Sequence, residues 1–412
     1  MSKQKPLSYA SLKAVIENMD PNLRVLLSVK LPSIRHAEKA TPMRLDELQI
    51  SETDISLKKN SYSHRMKVMR YINGMDGFRP YEACGVPYST DYDVDEYGIQ
   101  DMPLIPTPGD LDFGNNANRL RTEEQLRRIV SFPLISQDPL ASTDLKDLEM
   151  RRDNVESPYT FFIHLSNICQ TPVIYREKEL VIEKVDYNQN LSIAIKYFIQ
   201  KLLGGKQQGG PIKVKNLHLS CKSRYLRLPI GLELDVQNLF VFNNKNGLSI
   251  IRPLLAPQWS SLESITVENL ENRDREILSS VGTVGVSGLL HRNVELPYRR
   301  MKFSQSLYQY QQYINIAKNL KVTQPRVGSH YTFTLWDTPE ELMKIMNADD
   351  NFEKGQLPES KVFHHPECYV LPINNRSEVL IYFSYDPTDY RYASFRFKLE
   401  MEVQPRAENF HN

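Results

Sequence analysis

Apolar residues near the start of the chain recur every three or four positions in two short runs, 12–19 and 23–31. This spacing is typical of amphipathic helices. Ser8 can cap the first helix, and the second is expected to end before Pro32, because proline disfavours helical backbone in the residue before it. Residues 1–44 are therefore predicted to form a small helical module, which is too short to fold stably alone.

Residues 45–73 alternate apolar and polar side chains as half-buried strands do, so we expect them to join the main body. The composition then changes, because residues 74–157 are polar and rich in Pro, Asp and Gly. Such a segment buries little apolar surface, which predicts a long, partly disordered insertion. Two helices are expected inside it, one at the capping-box sequence Thr122-Glu-Glu-Gln125 and one over 142–152.

Apolar runs separated by turn residues return over residues 158–330 and predict a body of alternating strands and helices. The segments 159–163 and 180–182 have the composition of strands. The segment 191–203 has one apolar face and is followed by Gly204-Gly205, so it predicts a helix with a defined end.

A short motif of alternating apolar residues recurs within this body. Its five copies are marked by one polar residue each, Asn216, Asn238, Ser264, Asn293 and Asn319. The copies are 22 to 29 residues apart, within the range of roughly 20 to 29 residues for leucine-rich-repeat-like units. The pattern favours an irregular leucine-rich-repeat-like body; a parallel α/β sheet without a repeat architecture is the alternative.

The C-terminal residues 331–412 differ from the repeat. Thr338-Pro339-Glu340-Glu341 has the pattern of a capping box with proline in the first turn, so a helix is expected there. The runs 369–373, 379–385 and 392–403 predict antiparallel strands, and the unbroken alternation of the third indicates a sheet with one face in water. The whole chain is thus predicted to belong to the α/β class, with mixed α+β character.

Composition limits the possible functions. The 412 residues are enough for more than one folded unit, and 41% hydrophobic residues are typical of a globular protein. Lys plus Arg number 51 against 50 Asp plus Glu, so we expect neither a nucleic-acid partner nor a membrane surface. No apolar segment is long enough to span a membrane, and the four separated cysteines suggest the cytosol or nucleus.

Two short segments collect potential metal ligands. Asp91-Tyr-Asp93-Val-Asp95 carries alternating carboxylates like a calcium loop, but Glu96 and Met102 stand where an EF-hand needs Gly and Glu. His364-His365-Pro-Glu367-Cys368 lacks the ligand spacing of a zinc site. An acidic surface loop and a turn before a strand are the favoured interpretations of these segments, so we predict no metal, no cofactor and no catalytic residue.

Several longer phrases resemble the nematode F-box C proteins, in which F-box-like helices precede a nematode-specific domain of unknown function. The phrases that carry the resemblance are Pro6–Asp20, Leu26–Arg35, Pro42–Leu48, Asp95–Ile99, Pro108–Asp110, Arg151–Asn154, Val214–Leu219 and Leu226–Leu232. Each phrase is weak alone, and they are specific in combination.

The resemblance implies a substrate adaptor of a cullin-type ubiquitin ligase, a protein that recognises its target and has no catalytic activity of its own. An F-box docks an apolar helical ridge on a Skp-family protein, while the domain behind it holds a target protein, which is unknown here. The residues implied for this ridge are Leu7, Leu12, Val15, Ile16, Leu23, Leu26, Leu27 and Leu31.

The segment departs from a general F-box in two places. The usual Leu-Pro opening appears as Pro6-Leu7, and no aromatic residue stands near Ile34-Arg35. A box that packs on its own body, in a stand-alone interaction scaffold, is therefore an alternative. A metal-dependent enzyme that uses Asp91–Asp95 or His364–Cys368 is the alternative from another class.

Overall fold

The computed structural model describes residues 8–57, 62–74, 77–83, 86–100, 105–114, 122–131, 139–170, 177–188, 190–203, 210–222, 224–255, 262–270, 272–288, 296–304, 307, 309–335, 338–355, 367–385 and 397–406. They belong to two compact units. The first unit lies within residues 1–237 and 242–261, and the second within 238–241 and 262–412. Helices and strands alternate in both, so the predicted mixed α/β class is confirmed.

The N-terminal residues form three short helices, α1 (Tyr9–Glu17), α2 (Pro21–Lys30) and α3 (Arg35–Lys39). Ser8 caps α1, because its hydroxyl accepts a hydrogen bond from the backbone N–H of Ser11 at 3.1 Å. The Asp20 carboxylate caps α2 in the same way, and Pro21 occupies the first turn. The two helices predicted from apolar spacing are confirmed.

Strands of the first unit lie in two groups along the chain. They are β1 (Arg44–Ile50), β2 (Asp54–Ser56), β3 (Tyr62–Gly74), β4 (Gly77–Pro80), β5 (Glu82–Ala83), β6 (Val86–Pro87), β7 (Ser89–Thr90), β8 (Leu111–Asp112), β9 (Tyr159–Gln170), β10 (Glu177–Asp186), β11 (Ile212–Ser220), β12 (Tyr225–Leu226) and β13 (Leu234–Phe242), the last of which contributes residues to both units.

Strand pairing in this unit joins residues that are far apart in sequence. β1 lies parallel to β11 and antiparallel to β2. The long strand β3 is antiparallel to β2 and β9, and β9 is antiparallel to β10. The predicted strands at 159–163 and 180–182 are therefore confirmed, and together they form one hairpin.

Three further helices of this unit are α4 (Glu123–Ser131), α5 (Pro139–Arg152) and α6 (Leu191–Leu203). The predicted capping box of α4 is confirmed, because the N–H of Thr122 donates to Gln125 Oε1 at 2.9 Å and the N–H of Gln125 donates to Thr122 Oγ1 at 3.2 Å. The helix predicted over 191–203 has the bounds that the sequence indicated.

The second unit begins with short parallel strands and ends with antiparallel ones. Its elements are β14 (Ser264–Val267), α7 (Arg275–Ser279), β15 (Thr283–Val286), β16 (Arg300–Phe303), α8 (Tyr310–Thr323), β17 (His330–Thr334), α9 (Glu340–Asn347), β18 (Glu353–Gly355), β19 (Cys368–Pro372), β20 (Ser377–Tyr385) and β21 (Phe397–Pro405). Residues 238–241 of β13 pair with β14, and β14 to β17 continue in parallel. β17 then pairs with β21, and β21, β20 and β19 form the predicted antiparallel meander, of which residues 392–396 lie outside the described residues. β18 adds an antiparallel strand that was not predicted.

Three of the five markers of the predicted repeat lie in strands, while the leucine-rich-repeat-like architecture itself stays a prediction. Asn216, Asn238 and Ser264 lie in strands, and Asn293 lies outside the described residues. The prediction is wrong at Asn319, which lies in α8. The four residues 319–322 alternate like a strand, but the apolar residues around them recur at helical spacing over the whole of α8. The longer helical period decides the structure of this segment.

The start of the helix α9 differs from the prediction. It starts at Glu340, with Pro339 as the N-cap residue and no side-chain cap, so the predicted capping box does not form. One face of α9 and one face of α8 pack on the sheet. The core between them contains Met301, Phe303, Tyr331, Phe333, Tyr313, Ile314, Leu342 and Met346.

Candidate functional site

The N-terminal helices carry an apolar stripe that points away from the core. Leu23, Leu27 and Leu31 follow one another at intervals of four residues, which places them on one side of α2 and of its C-terminal cap. Leu23 is 46% exposed and Leu31 is 47% exposed, while Leu27 is half-buried. We call these three residues the α2 stripe. Two of the three leucines are therefore about half exposed to solvent on the surface of α2.

The remaining residues of the predicted ridge lie in different environments. Val15 is 49% exposed on α1, Leu12 is half-buried, and Ile16 is buried in the core. Leu7 lies outside the described residues, and Leu26 lies in α2 with its side chain outside what the structure describes. The structure therefore leaves Val15 and the α2 stripe open, but Ile16 packs within this chain.

Arg24 holds the α2 stripe in place. Its buried guanidinium donates from Nε to Glu38 Oε1 at 2.9 Å, and from Nη1 to the carbonyl of Pro42 at 2.8 Å. Nη2 donates to the carbonyls of Glu38 and Thr41. These bonds tie α2 to α3 and to the segment that leads into β1. Sequence reasoning missed this arginine, because a single charge within an apolar run has no periodic signal.

A second buried arginine, also missed from the sequence, lies in the first unit. Arg70 of β3 pairs with Asp147 of α5 at 2.7 Å from Nη1 to Oδ2. Its guanidinium carbon lies 4.1 Å from the ring centroid of Tyr88 and 4.4 Å from that of Tyr159. Burial raises the pKa of both tyrosines, so they remain neutral and line the guanidinium as aromatic walls. Gly98 faces Nη2, where a side chain would overlap it.

The acidic loop suggested as a calcium site has structural partners. Asp93 Oδ1 accepts hydrogen bonds from Tyr187 Oη at 2.9 Å and from the N–H of Leu191, so Asp93 caps α6. Asp95 Oδ1 accepts from two backbone N–H groups at 2.9 Å and closes a turn. The carboxylates thus organise the backbone around them.

The other segment with potential metal ligands, His364–Cys368, lies only partly within the described residues. His364 and His365 lie outside the described residues, while Glu367 and Cys368 are described. Among the described residues, no three His, Cys, Asp or Glu side chains come together in a way that could hold a metal ion. Likewise, none of the helices in the described part of the chain combines the length and apolar character needed to cross a membrane.

Asp110 joins the loop after residue 105 to two other elements. Its carboxylate lies 2.7 Å from Lys196 Nζ of α6 and 2.5 Å from Arg227 Nη1, and it accepts from the N–H of Thr107 at 2.7 Å. Burial alone would raise the pKa of Asp110, but these hydrogen bonds outweigh it and hold the pKa below its ordinary value. The carboxylate therefore stays ionised and fixes the loop.

Glu400 of β21 is an exception to the predicted wet face of that strand. It is buried, and its Oε2 accepts from Thr332 Oγ1 at 2.7 Å and lies 3.0 Å from His330 Nε2. Its Oε1 accepts from Ser384 Oγ at 2.7 Å. Burial would raise the pKa of Glu400, but the bonds from these three side chains more than compensate and lower it.

Comparison with known proteins places one family in the chain. Residues 190–337 match a family model described as a domain of unknown function, DUF3557. No F-box family model matches the chain. No curated protein and no solved structure matches it. A domain of this family is therefore present at 190–337, while the resemblance to nematode F-box C proteins and the F-box-like character of the N-terminus stay predictions.

Proposed function

We propose that this chain is a protein-interaction adaptor that binds a Skp-family protein through its N-terminal helices and presents a target protein to a cullin-type ubiquitin ligase. The observation that carries the proposal is the α2 stripe, an apolar surface held on a helix and left open to solvent. Helices of this kind bind partners by laying an apolar face into a groove. Such an adaptor would act in the cytosol or nucleus.

The size of the α2 stripe sets a limit on its role. Full burial of one leucine contributes about 1.5–3 kcal/mol, so three partly exposed leucines contribute about 3 kcal/mol together. A dissociation constant of 1 μM corresponds to about 8 kcal/mol. The interface must therefore extend beyond the stripe, and Val15 and Tyr9, both exposed on α1, are the nearest described candidates.

The rest of the chain would serve as the recognition body, with its leucine-rich-repeat-like stretch of parallel strands. An adaptor raises the local concentration of a target beside the ligase and needs no catalytic side chain of its own. The parallel order of β14 to β17 supports this proposal, because repeat proteins present side chains from such strands on one continuous surface.

A stand-alone interaction scaffold is the second candidate function. The observations that favour it are the burial of Ile16 and the four hydrogen bonds of Arg24, which show the N-terminal helices packed within the chain itself. In this case the exposed leucines would be ordinary surface residues, and Skp-family proteins would not bind.

A pull-down of the full chain with a purified Skp-family protein from the same organism distinguishes the ligase adaptor from the stand-alone scaffold. The test variant is Leu23→Asp combined with Leu31→Asp, since both side chains are exposed and the fold should tolerate the change. Burial of two unpaired carboxylates should weaken binding by at least roughly thirtyfold. The matched control is Val322→Asp, at a position on α8 that is 79% exposed.

The outcomes are distinct when circular dichroism shows that all variants are folded. Binding by the wild type and by Val322→Asp, with loss in the double variant, supports the adaptor proposal. Failure of the wild type to bind, or binding that the double variant retains, overturns it.

A further inference from the structure

The strand β10 stands at an edge of the sheet in the first unit. It pairs antiparallel with β9, and β9 pairs with β3 on its other side. Among the strands that the structure describes, none pairs with the second side of β10. β10 contains 10 residues, whereas a typical strand has about five or six. We call the second side of this long strand the open edge.

Backbone hydrogen bonds show which groups of β10 point to the open edge. The N–H of Tyr187, directly after β10, donates to the carbonyl of Phe161 in β9 at 3.2 Å. In an antiparallel ladder every second residue turns its N–H and C=O to the same neighbour. Val185 therefore also faces β9, while the N–H groups of Lys184 and Asp186 point outward. Neither of these two N–H groups has a hydrogen-bond partner in the described part of the chain.

The side chains along the open edge are exposed and largely apolar. All of residues 180–186 are exposed. Leu180 is 63% exposed, Val181 47%, Ile182 49% and Val185 39%. Successive side chains of a strand point to opposite faces, so apolar surface lies on both faces of β10. Single exposed apolar residues are ordinary, but four of them on one strand mark an interaction site.

The charges of this segment favour a basic partner. Glu183 and Asp186 are exposed, and neither carboxylate has a hydrogen bond or an ion pair to any described residue. Lys184 is the one cation of residues 180–186, and its ammonium lies 3.9 Å from the ring centroid of Tyr71 and 3.8 Å from that of Phe162. Two carboxylates against one ammonium leave a net negative charge at this end of the open edge.

A bulge decides between a second copy of this chain and a separate segment as the occupant. The pairing of β10 with β9 shifts between Val181 and Glu183, so Ile182 is the extra residue of a β-bulge. A bulge increases the local twist and hinders the pairing of two rigid sheet edges. A second copy would bring two bulged edges together, whereas a single extended segment can follow the twist.

We propose that the open edge binds an extended segment of a partner protein, which adds to the sheet as a further strand beside β10. Backbone hydrogen bonds to the outward N–H groups would hold the segment, as in other strand-addition complexes. Its apolar side chains would cover residues 180–182, and a basic side chain would lie beside Glu183 and Asp186. This inference goes beyond the adaptor proposal, since it assigns a second surface that needs no Skp-family protein.

The test is fluorescence anisotropy with the full chain and a labelled peptide of alternating Val and Thr with Lys at each end. The wild type should bind it, and no binding at about 1 mM protein would overturn the proposal. Two analogues carry N-methyl groups on alternate backbone nitrogens, one set in each of the two frames. Only one frame removes the N–H groups that face β10, so one analogue should lose binding and the other should retain it. Equal binding of both analogues would show that no strand is added.

The test variant of the protein is Leu180→Thr with Ile182→Thr, which removes apolar surface and keeps residues that favour strands. It should bind the peptide roughly tenfold more weakly. The matched control is Ile105→Thr with Ile230→Thr, since these side chains of the same unit are 66% and 72% exposed. With circular dichroism showing all variants folded, unchanged binding by the test variant, or equal weakening by the control, would overturn the proposal.

Two further measurements test the charge and the occupant. A peptide with Glu in place of Lys should bind roughly threefold more weakly, as expected for exposed charge pairs, and equal binding would refute the basic contact. In sedimentation without peptide, a wild-type dimer that the test variant dissociates would assign the open edge to a second copy and overturn the proposal. No Skp-family protein is present in these assays. Failure here therefore leaves the adaptor proposal standing, and failure of the pull-down leaves this one standing.

Discussion

Replacing Arg70 by Met should destabilise the first unit strongly, because the substitution leaves the Asp147 carboxylate buried without its cation. Both side chains of the pair are 1% exposed, and 2.7 Å separates Nη1 from Oδ2. Methionine has a similar length and keeps an apolar contact with the surrounding rings, so the main change is the loss of charge and hydrogen bonds.

The magnitude follows from this burial. Removing one partner of a buried ion pair costs about 3–5 kcal/mol. The guanidinium also lies over the rings of Tyr88 and Tyr159, and a desolvated cation–π contact contributes up to about 2 kcal/mol, although such contributions do not add simply. We expect a loss of about 4 kcal/mol, a large part of the 5–15 kcal/mol that stabilises a typical domain.

Urea unfolding followed by circular dichroism measures the effect. Because the chain has two compact units, two transitions are expected, and only that of the first unit should shift. Four chains are compared: the wild type, Arg70→Met, Asp147→Leu, and the double variant. The double variant leaves no buried charge at this site, so it should lie within about 2 kcal/mol of the wild type. Arg127→Met is the control, since Arg127 belongs to exposed ion pairs with Glu123 and Glu149, and its replacement should change the stability only slightly.

Two results would refute this reasoning. One is a loss for Arg70→Met no larger than that for Arg127→Met. The other is a double variant whose loss equals the sum of the two single losses, because additivity means that the two side chains are not coupled.

Two further predictions concern a glycine and a buried carboxylate. Gly98 and Gly210 both have a left-handed backbone, with φ of 84° and 80°, but only at Gly98 would a methyl group overlap a neighbour, Arg70 Nη2. Gly210→Ala should cost about 1 kcal/mol and Gly98→Ala about 2 kcal/mol more in urea unfolding; equal losses would contradict the overlap. Glu400 has a folded-state pKa below its ordinary value, so its stabilising effect is present above that ordinary value and lost as the pH falls through the folded-state pKa. The stability difference between the wild type and Glu400→Gln should therefore shrink in acid, and a difference independent of pH would exclude this role.

Elements with a regular local period were predictable from the sequence. The helices α1, α2 and α6 follow from apolar residues at helical spacing, and the capping box at Thr122 marks the start of α4. The antiparallel strands near the C-terminus follow from strict alternation. These signals are local, because the backbone geometry of a helix or strand decides which neighbours in sequence share a face.

Elements of only a few residues were not predictable in the same way. β15 and β16 contain four residues each, too few to show a period, and Gly285 and Lys302 are poor strand formers. Their strand conformation is stabilised by parallel neighbours on both sides. The strand predicted at Asn319 was wrong for the opposite reason. The four residues 319–322 alternate like a strand, but they belong to a longer segment with helical spacing.

The same distinction between local pattern and tertiary contact applies to the candidate surfaces. The sequence by itself determined where the apolar N-terminal helices begin and end, and it supplied the leucines of the α2 stripe. Only the tertiary structure decided that Ile16 is buried while Leu23 and Leu31 stay open, and that Arg24 and Arg70 lie in the interior. It also decided that residues 180–186 of β10 stay exposed. Burial and charge pairing depend on contacts between residues far apart in the chain, and a local pattern contains no information about them.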